Sequence, residues 1–363
     1  MKETEILIIL QKGILAPSAD NLQPWKFRIG GGKIDVFLDR ERVKSFCDVD
    51  YLVPYLSAGA VIENMRVAAG GLGLQLAPSY FPRSNDPLWV ASLTFFPEQW
   101  RRHPHEQALE LRQTNRRFYQ PWRSLNPSLL EKFKSLVPEQ KGFRLSWIDR
   151  KQASYSKLCD LVGRADQIRF ENQRLYRELV AILRLNEEKT RNTGDGLDIR
   201  TLGGGTPASF LFRIMTSWQR LKVLNMLGLS RMLNLYARMQ MLSASAAGLL
   251  FAPTQKPEDY VLGGEIMEGV WHEMASQGLA IQPMEAIPIF ILNLQRNGGR
   301  DFTPAQRTEM EEIKRNFFAT FDIHDQNGLI LLFRVGYAPA VNIRSRRRPV
   351  ESFLEHTDED AGL

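Results

Sequence analysis

Arg112, Thr114 and Arg116 recur at alternate positions, so in an extended segment all three side chains leave one face of the chain, two guanidinium groups flanking a hydroxyl. Guanidinium forks match phosphate oxygens bidentately, which makes the pattern a phosphate clamp. Far upstream, Pro17-Ser18-Ala19-Asp20-Asn21-Leu22-Gln23-Pro24-Trp25 offers small side chains on a bent backbone. Main chain of that kind can approach a flat aromatic ring that bulkier residues would fend off. The two segments ask for one ligand, with a phosphate at one end and a ring at the other. A dianionic phosphate needs more positive charge than two arginines, and the late run Arg344-Ser345-Arg346-Arg347-Arg348-Pro349 carries it. Alone, that run reads equally as a solvated basic tail or a nucleic-acid patch. The aromatic interleaving and zinc spacing of nucleic-acid recognition modules are missing.

The elements that must hold these residues are those of an ordinary globular protein. With 363 residues, 44% hydrophobic and 24% charged, the chain has room for one large or two ordinary domains. A net charge of +6 and a pI near 9.3 suit an anionic ligand, a membrane surface or nucleic acid without choosing among them. Cys47 and Cys159 are the only cysteines, too few for a disulfide framework or a metal knuckle, and they read as structural thiols in a reducing compartment. The start, Met1-Lys2-Glu3-Thr4-Glu5, lacks the basic flank and apolar run of a secretory leader, so a cytoplasmic location is expected.

An internal repeat organises the chain. Residues 59–78 align without a gap on 264–283, with Gly59/Gly264, Glu63/Glu268, Gly73/Gly278, Leu74/Leu279 and Pro78/Pro283 identical. Val61, Met65, Ala68 and Leu72 share one helical face, and the Gly-Leu after each helix is its stop signal. Each helix leads toward an apolar run, residues 88–96 and 287–294, read as strands. The first copy, ending near residue 100, opens with a helix over 3–13 and a hairpin of strands 26–29 and 33–38 around Gly30-Gly31-Gly32. In the second, helices are expected over 105–111, 127–137 and from about 151, with a strand over 143–148. An insertion at about 186–245 has no counterpart in the first copy. From Ile199 to Pro257 it carries no acid, while Arg200, Arg213, Arg220, Lys222, Arg231, Arg238 and Lys256 are basic and Met215, Met226, Met232, Met239 and Met241 add a flexible apolar face. Three readings of it stand: an active-site lid, a membrane-surface or quinone-approach helix, and plain packing or oligomer contact.

Pro-Ser-x-x-Asn-x-Gln-Pro-Trp, Arg-x-Thr-x-Arg, the helix ending Gly278-Leu279, the following Pro283-Met284-Glu285-Ala286 and the late Arg-Arg-x-Pro together resemble the FMN-dependent nitroreductase superfamily. In that family two identical subunits interlock around each FMN. One gives the arginine clamp and C-terminal basic residues to the phosphate, and its partner gives the Pro-Ser loop to the ring. Here the first copy has the loop without the clamp and the second has the clamp without the loop, which is similar to the tandem-fused, lid-bearing (Acg-like) branch. The resemblance implies an α+β fold of two related halves mimicking the homodimer, with antiparallel-type sheets and long helices, residues 1–100 and 101–363, and one FMN between them. It implies that Arg112, Thr114, Arg116, Arg344 and Arg347 meet the phosphate, and that Pro17, Ser18, Ala19, Asn21 and Gln23 lie beside the ring. The main chain of Met284, Glu285 and Ala286 would face the reactive flavin nitrogen, donating an amide N–H as negative charge develops.

The expected activity is hydride transfer from a reduced nicotinamide through FMN to a small electron-poor acceptor, a nitroaromatic or quinone. No side-chain acid or nucleophile is expected to be catalytic. The rival readings are a flavin-holding protein closed by its lid, and a peripheral membrane protein using the basic insertion. No nucleic-acid partner and no metal are expected, and the chain is read as monomer or homodimer. Gly30-Gly31-Gly32-Lys33 lacks the earlier glycine and following hydroxyl of a P-loop and reads as a hairpin turn. Gly203-Gly204-Gly205 reads as a hinge of the insertion, and His103-Pro104-His105-Glu106 as an exposed helix start without a second metal cluster. Trp25 and Trp122, each after Gln-Pro, read as core anchors joining the copies.

Overall fold

The computed structural model describes residues 1–46, 48–98, 105–203 and 205–355, so Cys47, His103 and the expected end of the first copy near residue 100 lie outside it. The first unit runs α1 (Glu3–Gly13), a 3-10 turn (Ala19–Asn21), β1 (Trp25–Gly30), β2 (Lys33–Leu38), α2 (Leu52–Gly71), β3 (Leu74–Tyr80) and β4 (Trp89–Pro97). Its four strands form an antiparallel sheet in the order β1-β2-β4-β3. Gly31 and Gly32, at φ 56° and 74°, make the two-residue turn between β1 and β2, a conformation that follows the strand twist and excludes most side chains.

The second unit begins with α3 (Ala108–Leu111), α4 (Pro127–Ser135), β5 (Arg144–Asp149) and α5 (Ala153–Glu171). Next come α6 (Gln173–Ile182) and β6 (Leu183–Arg184), and then the insertion with α7 (Glu187–Thr193), β7 (Leu197–Asp198), α8 (Gly205–Ile214), α9 (Trp218–Met226) and α10 (Leu229–Leu242). The unit ends with β8 (Ala246–Ala252), α11 (Pro257–Ser276), β9 (Ala280–Pro283), α12 (Ala286–Asn297), α13 (Pro304–Phe321) and β10 (Gly328–Gly336). Its antiparallel sheet has the order β5-β8-β10-β9, and β6 and β7 form a short parallel pair. Every residue of β8 and β10 is buried, because α11 covers one face while α5, α12 and α13 cover the other.

The run 287–294 is helix α12 and not the expected strand. A short apolar run cannot be assigned by period alone, and length decides. This one extends to 12 residues, every side chain from Ala286 to Leu294 is buried, and Pro288 falls in the first turn, where a missing N–H costs no hydrogen bond. The first-copy run, by contrast, is strand β4, paired on both sides.

The repeated helices α2 and α11 pack against each other in the centre of the molecule. A methyl on Gly59 would stand 2.0 Å from the Val261 carbonyl oxygen, and one on Gly264 would stand 2.1 Å from that of Leu56. The alignment that pairs Gly59 with Gly264 also pairs Leu56 with Val261, so the contact is reciprocal, as across a two-fold axis between identical subunits. One apolar core runs through both units, from Val61 and Ile62 to Val261, Trp271 and Ile330. The C-terminal arm returns to the first unit. Leu354 bridges Phe27, the Glu355 N–H donates to the Phe27 carbonyl, and Phe353 packs between Trp25 and Phe27.

Trp25 is a fully buried anchor, but Trp122 is 77% exposed and anchors nothing. The insertion's methionines divide as well: Met215 and Met241 are buried, while Met226, Met232 and Met239 face solvent. Cys159 is buried, which pushes its thiol up to about 12 and leaves it unreactive. Gly59→Ala and Gly264→Ala should each lower stability by about 1–3 kcal/mol, and to a similar extent, because the same overpacking occurs on either side of one pseudo-dyad. Denaturant unfolding curves of the two variants measure this.

Candidate functional site

A cleft lies where the Pro-Ser loop, the Arg-x-Thr-x-Arg segment and the start of α12 converge. One part, about 300 Å³, is bounded by Pro17, Ser18, Ala19, Thr114, Arg116, Trp271 and residues 282–287. A second part, about 390 Å³, continues past Pro17, Ser18, Thr114 and Arg116 to Asn21, Arg112, Arg344 and Arg347. Leu197 lines both parts, Leu202 and Phe212 the first, and Thr201 the second, so the insertion forms one wall. The first part is mostly aliphatic and aromatic, whereas arginines gather in the second.

The clamp is extended as its alternation requires. Thr114 makes a bridge with Ile281, and the Asn115 N–H donates to the Ile281 carbonyl at 2.9 Å. Asn115 is buried on the opposite side, donating to the Pro339 carbonyl, which leaves Arg112, Thr114 and Arg116 on the cleft. Arg112 is 7% exposed and sits 2.8 Å from the fully buried carboxylate of Glu268, over the ring of Trp271. Its Nε–H is not aimed along a hydrogen-bond direction, although its Nη2 donates to the Leu15 carbonyl at 2.6 Å. Arg116 has no side-chain hydrogen bond or ion pair among the described residues, and burial followed by the partly compensating charge of Asp20 holds its guanidinium below its usual range.

Arg347 closes the end of α1. It donates to the carbonyls of Ile14, Leu15 and Ala16 and, at 2.8 Å, to Asn21 Oδ1. Those carbonyls follow directly on the C-terminus of α1, whose negative potential makes the place a natural seat for a cation. Burial, and then the neighbouring charge of Arg112, push Arg347 down to about 9. Arg112 and Arg347 thus face a single buried carboxylate, Glu268, and this imbalance favours an anion in the second part of the cleft. Arg344 lines its rim and donates to the Glu110 carbonyl.

The Pro-Ser loop is held in a costly shape. Asp20, Asn21 and Gln23 have φ of 51°, 57° and 53°, a left-handed region in which non-glycine residues are uncommon. Side-chain hydrogen bonds hold them there. Ser18 Oγ accepts from the Gln23 N–H, Asn21 donates to the carbonyls of Gly196 and Arg346, and Gln23 donates to that of Gly194 while accepting from the Arg348 N–H. Gln23 is fully buried and lines neither part of the cleft. Asn21 and Gln23 therefore fasten the loop to the insertion and the C-terminal arm, while Pro17, Ser18 and Ala19 present it to the cleft.

Glu285 precedes α12, and Ala286 is its first residue, at an ordinary negative φ, so its methyl group is tolerated. The Glu285 carboxyl is partly buried at the cleft and accepts from the Leu332 N–H at 3.0 Å. Burial pushes it up to about 8.

Sequence reasoning missed Asp20, Asp166 and Arg169, which line the same cavity, and Glu268. Glu268 had a signal, since it is one of the five identities of the repeat. Its counterpart Glu63 pairs instead with Arg66, which also meets Glu265. Arg66 stands where the repeat places Trp271 in the other half, and Glu265 is shared with the Tyr80 hydroxyl. This ionic cluster lines a separate cavity of about 360 Å³ on the opposite side of the pseudo-dyad, with charged side chains where the first cleft has Trp271.

No family model matches the chain. Over 356 residues it is 24% identical to an uncharacterized protein of Mycobacterium tuberculosis, an alignment covering 94% of this chain and 47% of the relative. Over 110 residues it is 34% identical to the "Putative NAD(P)H nitroreductase acg" of the same organism, covering 30% of this chain and 33% of that one. The chain therefore spans about half the length of the first relative, and matches a third of the second. Among solved structures, an FMN and NADPH-dependent nitroreductase, NfnB, from sphigopyxis sp. strain HMH aligns with 70% of this chain and 98% of its own at 13% identity and a TM-score of 0.37. Over those 110 residues the chain is thus similar to a protein that bears the name of a putative nitroreductase.

The raised Glu285 carboxyl has a direct consequence for stability. The fold favours its uncharged form, so its contribution is greatest near and below its ordinary value of 4.5 and is lost as pH rises toward about 8. Glu285→Gln keeps an acceptor for the Leu332 N–H and removes the titration. Thermal midpoints recorded from about pH 5 to about pH 9 should fall less steeply for the variant than for the native chain.

Proposed function

We propose that the protein is an FMN-dependent oxidoreductase of nitroreductase type, in which one chain furnishes both sides of a single flavin site. The reading rests on one observation above the others: the clamp, the C-terminal arginines, the Pro-Ser loop and the start of α12 border one continuous cleft, although they come from four separate stretches of sequence. The residues present fit the cofactor. The second part of the cleft carries an excess of buried positive charge, Arg116 has unused donors, and the first part is apolar. Arg112, Thr114, Arg116, Arg344 and Arg347 would hold the phosphate, with Pro17, Ser18 and Ala19 along the ring.

When bound, FMN supplies the two-electron chemistry, taking a hydride from a reduced nicotinamide and giving it to an electron-poor acceptor such as a nitroaromatic or quinone. The chain's part is to bind and orient. Main-chain N–H groups in the first turn of α12 have no partner within the helix and are the donors available near the ring. Leu202 and Phe212, with Leu197, keep water from the apolar end, which strengthens every polar contact there. In this reading residues 1–100 and 101–363 are fused halves of the interlocked dimer, and the insertion is a lid.

A second reading, a flavin-holding protein without turnover, is favoured by how firmly the lid is rooted. Asp195 is clasped by Arg42 from the first unit at 2.7 Å and by Arg184 at 2.6 Å, and the carbonyls of Gly194 and Gly196 are tied to Gln23 and Asn21. Anaerobic addition of NADPH separates the two. The oxidoreductase should lose its yellow absorbance within seconds to minutes and regain it on adding a quinone. Persistence of the oxidised spectrum for hours, with flavin bound, would establish the storage role instead.

A further inference from the structure

The outer surface of the insertion answers to a different partner from its inner wall. Helices α9 and α10 are joined by Leu227 and Gly228, and at that tip Met226 is 79% and Leu227 80% exposed. The exposed apolar surface continues on both sides, to Val223 in α9 and to Met232, Leu235 and Met239 in α10. Positions 232, 235 and 239 recur at helical spacing and so form one stripe. Large flexible side chains presented together to water mark a docking surface, since scattered single residues would need no such explanation.

Charge around this surface selects the partner. Of the insertion's basic residues, Arg200 is paired with Asp198 and Glu187, Arg238 with Asp160, and Arg213 donates to the Leu185 carbonyl. Arg220, Lys222 and Arg231, which are exposed and lie beside the apolar tip in sequence, have no ion pair among the described residues. No acid occurs between positions 199 and 257, so the patch offers cations with no carboxylate of its own segment to neutralise them. Oligomer interfaces are depleted in unpaired charge at their centre. An apolar tip ringed by free cations is instead complementary to the headgroup layer of an anionic bilayer, where methionine and leucine enter the acyl boundary and the cations meet phosphates. None of the helices described is long and apolar enough to cross a membrane, which makes the contact peripheral.

We propose that the α9–α10 tip attaches the protein reversibly to anionic lipid surfaces. The attachment is independent of the flavin, and it places the outer face of α9 and α10 against the bilayer.

Co-sedimentation of the full chain with phosphatidylglycerol vesicles and with phosphatidylcholine vesicles tests this. Binding should require phosphatidylglycerol and should vanish at about 0.5 M salt. Replacing Arg220, Lys222 and Arg231 together by Glu should weaken it by about a hundredfold or more. Met226→Asp with Leu227→Asp should remove it while leaving the thermal midpoint unchanged, because both side chains are already in water. Equal sedimentation with neutral vesicles, or none with anionic vesicles at low salt, overturns the proposal. So does concentration-dependent dimerisation that the tip variants abolish while lipid has no effect, since the occupant would then be a second copy of the chain.

Discussion

The approach of two glycines to two backbone carbonyls at the crossing of α2 and α11 is the constraint from which the rest of the architecture follows. Gly59 and Gly264 let helices that are buried on nearly every side pack main chain to main chain. With the helices so close, each unit covers the other's central helix, and a single core serves both. Because the contact is reciprocal, it fixes a pseudo-dyad, and the dyad determines which loops can meet. The Pro-Ser loop of the first unit reaches the clamp of the second only because the two long helices cross there.

Around that crossing the two halves have diverged in charge. On one side Glu268 balances Arg112 beside Trp271, leaving the cleft open and positively biased. On the other, Glu63 and Glu265 hold Arg66 in the place of the tryptophan. A buried cation and carboxylate are costly unless well paired, so each cluster is committed to its own role. A homodimer must form two equal sites. In this chain the two places differ, one lined by Trp271 and Arg112 and the other by Arg66, Glu63 and Glu265. The strained Pro-Ser loop, fastened by Asn21 and Gln23 to the insertion and the C-terminal arm, lies on the side of Arg112 and Trp271.

Much of this was legible in the sequence. The gapless repeat located both central helices and their terminating glycines, and strict alternation located the clamp. The turn glycines defined the first hairpin. What failed did so for physical reasons. The run 287–294 is apolar at every position, so it has no period to betray a helix, and only its length distinguishes it. Trp122 repeats the Gln-Pro-Trp context of Trp25, yet local sequence cannot say which of two similar segments the C-terminal arm will cover, and the arm packs on Trp25. The basic residues of the insertion looked equivalent until ion pairs with Asp198, Glu187 and Asp160 separated the structural ones from the free ones. Asn21 lines the cleft and Gln23 lies behind it, and both side chains secure the loop, a distinction no motif carries.

The central claim is that one chain closes one flavin site by imitating a dimer within itself. Calorimetric titration of the flavin-free protein with FMN measures this most directly. The account predicts saturation at one FMN per chain, with the same ratio on dilution to the monomer. Saturation at two per chain, at one per two chains, or no binding at all would contradict it.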